Sequence, residues 1–313
     1  MRVSTSMMYT DFTRNINRNS SKLQKYQNQL STLNEYSKSS DNPIEFAKII
    51  NLTDQISQNK YFNETINDAI SWSNSQDGAL SNASDSFHRI RQLITSSATG
   101  TQGSEEMEAN KKEIMSEIEG IVDALNTNFD GRYIFGGQNT KQAPFEVVKN
   151  DKGELVEIKY HGTDSKDGQV KTNLGREISK GVTIDLITDG NLFINEKGTD
   201  ADPDNLSSFF NEVITAINDG DQDALSGPLL EKVSIHSENF VNVRSQIGTL
   251  SNRLSAAKDR NEMESLNLKQ VLSNKQDVDI AEKYMNFSKE LISYQASLSM
   301  GTKILQTSIL DYV

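Results

Sequence analysis

Cysteine is absent from all 313 residues, which excludes disulfides, thiol catalysis and thiolate zinc sites. Proline occurs only at positions 43, 144, 203 and 228, each at a boundary of helix-compatible sequence and none inside it. Glycine is scarce toward both ends: the first is Gly78, and ten of the 18 lie between Gly131 and Gly198. Aromatic residues make up 7% and hydrophobic residues 35% of the chain, and the mean hydropathy is -0.59. So little apolar material suits long, thin helical packing better than a thick core. Positive charge is in deficit, with a net charge of -12, so nucleic-acid binding is disfavoured. No apolar run reaches membrane-spanning length, and "MRVSTSMMYT" lacks the apolar segment of a Sec signal peptide.

What is present is helical periodicity at both ends. Tyr9, Phe12, Ile16, Asn19, Leu23, Tyr26, Leu30 and Leu33 follow a 3-4 spacing, which keeps one seam facing a partner helix. The same region is locally basic, with Arg2, Arg14, Arg18, Lys22, Lys25 and Lys38 against Asp11 and Glu35. A solvated or partner-facing helix surface is the favoured reading of this, with a DNA-binding basic arm as the weaker alternative. In "SDNPIEF", Asn42 suits a helix cap, Pro43 the first helical position and Glu45 a capping box. A helix is predicted from there to about Ser97, with Leu80, Ala83, Phe87, Ile90 and Ile94 as its stripe. Another is predicted from Glu105 to Asn128, capped by Ser104, with Ile114, Ile118, Ile121 and Leu125 inward.

From Pro144 to Gly198 the period shortens. "FEVVKNDKGELVEIKY" reads as strand, turn and strand, and "GVTIDLI" and "NLFI" read as further strands. Helical sequence resumes after Pro203, with Asp202 as the expected cap. A long stripe then runs from Val233 through His236, Phe240, Val243, Ile247, Leu250, Leu254, Ala257, Asn261, Glu264 and Leu268 to Val271. A last one holds Ile280, Tyr284, Phe287, Leu291, Tyr294, Leu298, Leu305, Ile309 and Tyr312, and Gly301 leaves its slot empty.

The expected fold is therefore mainly α: an antiparallel long-helix or coiled-coil rod formed by both chain ends, with a small inserted β-rich domain. The expected domains are residues 1–40 with 275–313, a terminal coiled coil; 41–143 with 203–274, a helical body; and 144–202, the β-rich insert. Narrow polar helices gain their stability by packing. The terminal helices are accordingly expected to pair with each other or with neighbouring subunits, and to order fully on assembly.

Patterns that carry chemistry are missing where they would be needed. Gly131, Gly136 and Gly137 in "GRYIFGG" match neither a phosphate loop nor a dinucleotide fingerprint. They read as architectural instead. Gly131 ends a helix, Tyr133, Ile134 and Phe135 form an extended apolar run, and Gly136 and Gly137 turn the chain toward the insert. "DADPDN" and "DGDQDA" lack the glycine and the bidentate glutamate of calcium loops and read as acidic helix entries. His88, His161 and His236 have no metal-ligand spacing, and Trp72 is expected as a half-buried packing residue. The opposite faces of the stripes are not rich in Lys or Arg, which favours partner helices over a membrane surface. No catalytic residue, cofactor or metal is expected.

Four blocks, "MRVSTSMMY", "SSDNPIEFAKIINL", "GRYIFGGQNTKQAPF" and "DVDIAEKYMNFSKELISYQASL", occur here in an order that resembles the FlgL-type hook-associated proteins of the flagellin superfamily. The second departs mildly, with Asn42 where the family usually has aspartate. The resemblance implies a structural junction ring between the first hook-associated protein and flagellin. It also implies export in an unfolded state through the flagellar type III channel, without a cleavable signal, to an extracellular flagellar location. The terminal helices would line the inner tubes, with the insert facing outward. An export chaperone would bind the C-terminal stripe from Ile280 to Tyr312 before secretion. A flagellin-like filament subunit is the alternative within the superfamily. "MRVSTSMMY" lacks the Ile-Asn-x-Asn entry typical of flagellins, and "ILDYV" lacks their double leucine. A cytoplasmic coiled-coil scaffold is the alternative outside it.

Overall fold

The computed structural model describes residues 2–99, 103–150, 155–162, 173–194 and 205–310, apart from the side chains of 2–5, 156 and 303–310. The described chain divides into two compact units, residues 1–60 with 263–313 and residues 61–262. Both are built mainly from helices.

The first unit takes its character from its two ends. α1 (Arg2–Thr32) and α8 (Ile280–Leu310) pack along each other. They run antiparallel, because Asn19 meets Ser297 and Lys22 meets Glu290. α1 stops at Thr32, and Leu33, expected as the last member of the stripe, lies beyond the helix with φ 57. α2 (Pro43–Ala98) begins as its sequence predicts, with Pro43 first and the Asn42 Oδ1 accepting from Glu45 N at 3.3 Å. The capping box is not completed as expected. The Glu45 carboxylate turns to Lys48 at 2.7 Å and Lys275 at 3.0 Å, because two ammonium donors outbid one backbone amide.

The second unit holds nearly all of the core. Leu80, Ala83, Phe87, Ile90 and Ile94 of α2 are buried, as are Ile114, Ile118, Ile121 and Leu125 of α3 (Ser104–Leu125). α5 (Leu206–Asp219) adds Phe209, Phe210 and Val213. α7 (Pro228–Gln276) adds Val233, His236, Phe240, Val243, Ile247, Leu250, Leu254, Ala257 and Asn261. The α7 stripe does not stay buried to its expected end: Glu264 and Val271 are exposed. Rings at near-contact spacing connect these elements. Phe87 lies 6.0 Å from Phe210 and 4.8 Å from Phe240, Phe240 4.9 Å from Phe193, and Phe193 5.1 Å from Phe135. Trp72 is buried, not half-buried, with its ring edge-on to Phe129.

Among the described residues, strands occur as three antiparallel pairs. β3 (Phe145–Lys149) pairs with β4 (Leu155–Tyr160), and β5 (Leu174–Ser179) with β6 (Val182–Leu186). The sequence does not signal β5, because "LGREIS" has glycine at its second position and alternates weakly. "NLFI" is not a strand but one helical turn, α4 (Asn191–Ile194), started by Asp189 Oδ1 accepting from Asn191 N at 3.0 Å. The first pair, β1 (Asn128–Phe129) and β2 (Arg132–Tyr133), corrects the reading of Gly131. α3 has already ended at Leu125, capped by Asn126. Asp130 and Gly131, with φ 51 and 75, are then the two turn residues of a tight hairpin. Two caps also move. Gly103, not Ser104, caps α3, and Asn205 caps α5 by accepting from Ser208 N at 2.8 Å, whereas Asp202 lies outside the described residues. α6 (Gln222–Ser226) is capped by Asp221, so the acidic "DGDQDA" serves as a helix entry.

Candidate assembly surfaces

The α1–α8 seam is built from half-buried side chains. Phe12, Ile16, Asn19, Leu23, Tyr26 and Leu30 form the covered face of α1, and Phe287, Leu291 and Tyr294 that of α8. Other expected seam members face solvent: Tyr9, Leu33, Ile280, Tyr284 and Leu298 are between 43% and 64% exposed. The two-helix pairing explains this, since one partner covers only one flank of each stripe. The side chains of Leu305 and Ile309, and all of Tyr312, lie outside the described residues.

A polar clamp closes the loop end of this pair. Val278 N donates to Leu33 O at 3.1 Å and Glu35 N to Gln276 O at 2.7 Å, around an Asn34–Asp277 bridge. Gln29 is buried, and its Nε2 donates to Glu35 O at 2.8 Å. Lys283 Nζ reaches Glu35 Oε1 at 2.7 Å, and Lys25 lies 3.7 Å from Asp41. The lysines hold Glu45 below the usual carboxylate range, chiefly through its hydrogen bonds to Lys48 and then Lys275. Gln29 was not singled out in the sequence, because a polar residue beside an apolar stripe carries no signal of burial.

The distribution of apolar surface distinguishes the units. Among the described residues, every buried hydrophobic side chain except Ile49 belongs to residues 61–262. The terminal unit instead exposes Met7, Met8, Met285, Ile292 and Met300 beside the residues already named. The methionines fall off the seam period, which is why periodicity passed over them. Exposed apolar side chains of this kind suit contact with a partner, and methionine in particular has a flexible chain that can adapt to one.

"GRYIFGG" makes a buried connection in the second unit. Tyr133 is half-buried, and Ile134 and Phe135 are fully buried. The segment after Tyr133 turns instead of extending: Gly137 has φ 65, and its N–H donates to Thr188 O at 2.7 Å. The histidines do not gather into a site. His88 is exposed, His161 pairs with Glu146 at 2.9 Å, and buried His236 packs on Phe209 at 5.0 Å. Among the described residues there is no cluster able to hold a metal, and no helix is long and apolar enough to cross a membrane.

Comparison with known proteins matches both ends of the chain. Residues 3–140 match the bacterial flagellin N-terminal helical region, and residues 230–313 the bacterial flagellin C-terminal helical region. The flagellar hook-associated protein 3 of Escherichia coli (strain K12) is 26% identical over 99% of this chain and 98% of its own. A putative flagellar hook-associated protein from Vibrio parahaemolyticus shares the fold with a TM-score of 0.64 and 19% identity, covering 76% of this chain and 100% of that one. The flagellar junction protein FlgL from Legionella pneumophila does so with a TM-score of 0.56 and 14% identity, covering 74% and 100%. With both helical ends matched to flagellin and its whole length aligned to hook-associated protein 3, the chain belongs to the flagellin superfamily as a member of the FlgL type.

Proposed function

We propose that this chain is a structural subunit of the bacterial flagellum, forming the ring that joins the hook, through the first hook-associated protein, to the flagellin filament. One observation carries the reading. The terminal unit presents apolar helix faces while burying almost no core of its own, and it lies within the regions matched to flagellin. Such a surface is completed by neighbouring subunits. The task is to match two assemblies and involves no catalysis.

The exposed residues Tyr9, Leu33, Ile280, Tyr284 and Leu298 are the proposed contacts to neighbours, with the half-buried seam as their support. The three-part map of terminal coiled coil, helical body and outward β insert is the working division for mutagenesis. The C-terminal helix is also the proposed docking site of an export chaperone before secretion. Deleting residues 280–313 should abolish chaperone binding; retained binding would remove that role. Gene deletion tests the main reading. The expected result is intact hooks, no filaments and flagellin released into the medium, and normal filaments would refute it. Order in the terminal helices is proposed to be completed on assembly. Strong amide protection at residues 9–33 in the isolated monomer would contradict this.

A further inference from the structure

The chain leaves the helical part of the second unit through residues 134–137 and returns through 186–190. The two passages are joined to each other: Gly136 bridges Asp189, and Gly137 N donates to Thr188 O at 2.7 Å. Both are also joined to one side chain of α2. Gln76 is fully buried, and its Nε2 donates to Ile134 O at 3.3 Å and to Ile187 O at 2.5 Å. An amide nitrogen has two protons, so each outgoing and returning strand takes one. The Gln76 Oε1 has no hydrogen-bond partner among the described residues. A buried bare carbonyl is unfavourable, and this residue tolerates it while both donors are engaged.

The β3–β4 hairpin is tied into the same place. Tyr160 Oη donates to Phe135 O at 3.2 Å and accepts from Gly190 N at 3.0 Å. There is no room for slack. A Cβ on Gly190 would lie 2.5 Å from Phe135 O, and a Cβ on Gly136 would lie 2.4 Å from Asn139 O. Thr188 is fully buried, with its Oγ1 accepting from Leu174 N at 3.2 Å, which connects β5 to the neck as well.

We propose that these residues form a rigid neck and that Gln76 is its positioning residue. Through the neck, together with the packing of β3 and β4 on α3 and α5, the β insert is carried at one fixed orientation on the helical body, set within the subunit before any assembly. Alternative side chains at 76 do not meet the requirement. Leucine or methionine supplies no donor, and glutamate at neutral pH would place a buried charge against two carbonyl oxygens. The inference stands independently of the flagellar reading, since it concerns how one part of the subunit is held on another.

The absence of cysteine makes a direct test simple. Spin labels on Asn82→Cys in α2 and Glu157→Cys in β4, both exposed positions, report the distance between body and insert in the full chain. The unmodified neck should give one narrow distribution. Gln76→Met should broaden it by about twofold or more while helix content stays unchanged, because loss of the clamp frees local motion without unfolding the core. An unchanged width in folded Gln76→Met would overturn the proposal. If that variant fails to fold, amide exchange on the unsubstituted chain decides. The Gly137 and Gly190 amides should be protected to within about tenfold of Phe87 in the α2 core, and exchange about a hundredfold faster than Phe87 would overturn it.

Discussion

Phe12 closes on Gly301 so tightly that a Cβ on residue 301 would lie 2.0 Å from the Cζ of the ring. The glycine that interrupts the C-terminal stripe is therefore a notch for an aromatic ring of the opposite helix. Gly301 is buried in a seam whose apolar members are otherwise only half-covered.

Gly301→Val should expel that ring. Re-exposing a partly buried phenylalanine costs about 1–2 kcal/mol, and the loss should stay in the terminal unit, because residues 61–262 hold their own core. Amide exchange in residues 12–26 and 287–301 should accelerate about tenfold, with little change in the main melting transition. Combining Phe12→Ala with Gly301→Val should cost little more than Phe12→Ala alone, since both remove one contact. Full additivity would argue against the notch.

The start of α2 offers a local test. Asn42→Ala removes the acceptor that satisfies Glu45 N, and loss of such a cap costs about 1 kcal/mol. Asn42→Asp should retain the bond and the stability. Chemical denaturation of the three proteins compares them directly.

Acid should loosen the polar clamp. Glu45 titrates below its ordinary range because Lys48 and Lys275 donate hydrogen bonds to its ionised form. A depressed folded-state value means that its stabilisation is present above the unfolded carboxylate range and is lost as pH falls through the folded value. Amide exchange at residues 43–48 and 273–276, corrected for intrinsic rates, should therefore rise as pH falls below the usual carboxylate range. Glu45→Gln should remove most of that dependence. The site is open to solvent, so high salt should weaken the effect.

The glycines of "GRYIFGG" should respond differently to substitution. Gly131 has positive φ with open space around its Cβ position, so Gly131→Ala should cost about 1 kcal/mol, the ordinary left-handed penalty, and Gly131→Asn less. Gly136→Ala meets a backbone oxygen at 2.4 Å and should destabilise more than Gly131→Ala. Gly136→Val and Gly137→Val should both disturb the neck. Equal effects at 131 and 136 would contradict the close approach.

Phe240 is the meeting point of the aromatic series, 4.8 Å from Phe87 and 4.9 Å from Phe193. Phe240→Ala should destabilise the second unit by about 3–5 kcal/mol, measured by thermal or denaturant unfolding. Phe240→Leu, which keeps more of the buried apolar volume, should cost less than Phe240→Ala.

Much of the fold was legible in the sequence because it is local. The proline boundaries, the central clustering of glycine and the 3.6-residue stripes determine long helices at both ends and a β-rich interruption between them. Asn42-Pro43 marks the start of α2 because capping depends on adjacent residues. Tertiary structure decided what proximity decides. It made "NLFI" a helical turn, since Phe193 had to reach Phe135 and Phe240. It placed Gly131 in a hairpin after α3 had already ended at Leu125. Periodicity marks which side of a helix is apolar but not how much of that side a partner covers, so Tyr284 and Leu298 share the stripe of Leu291 yet remain exposed. Gln76 and Gln29 were illegible for the same reason. A glutamine becomes structural only when distant carbonyl groups are brought to its amide, and residues 134 and 187 meet at position 76 only in the folded chain.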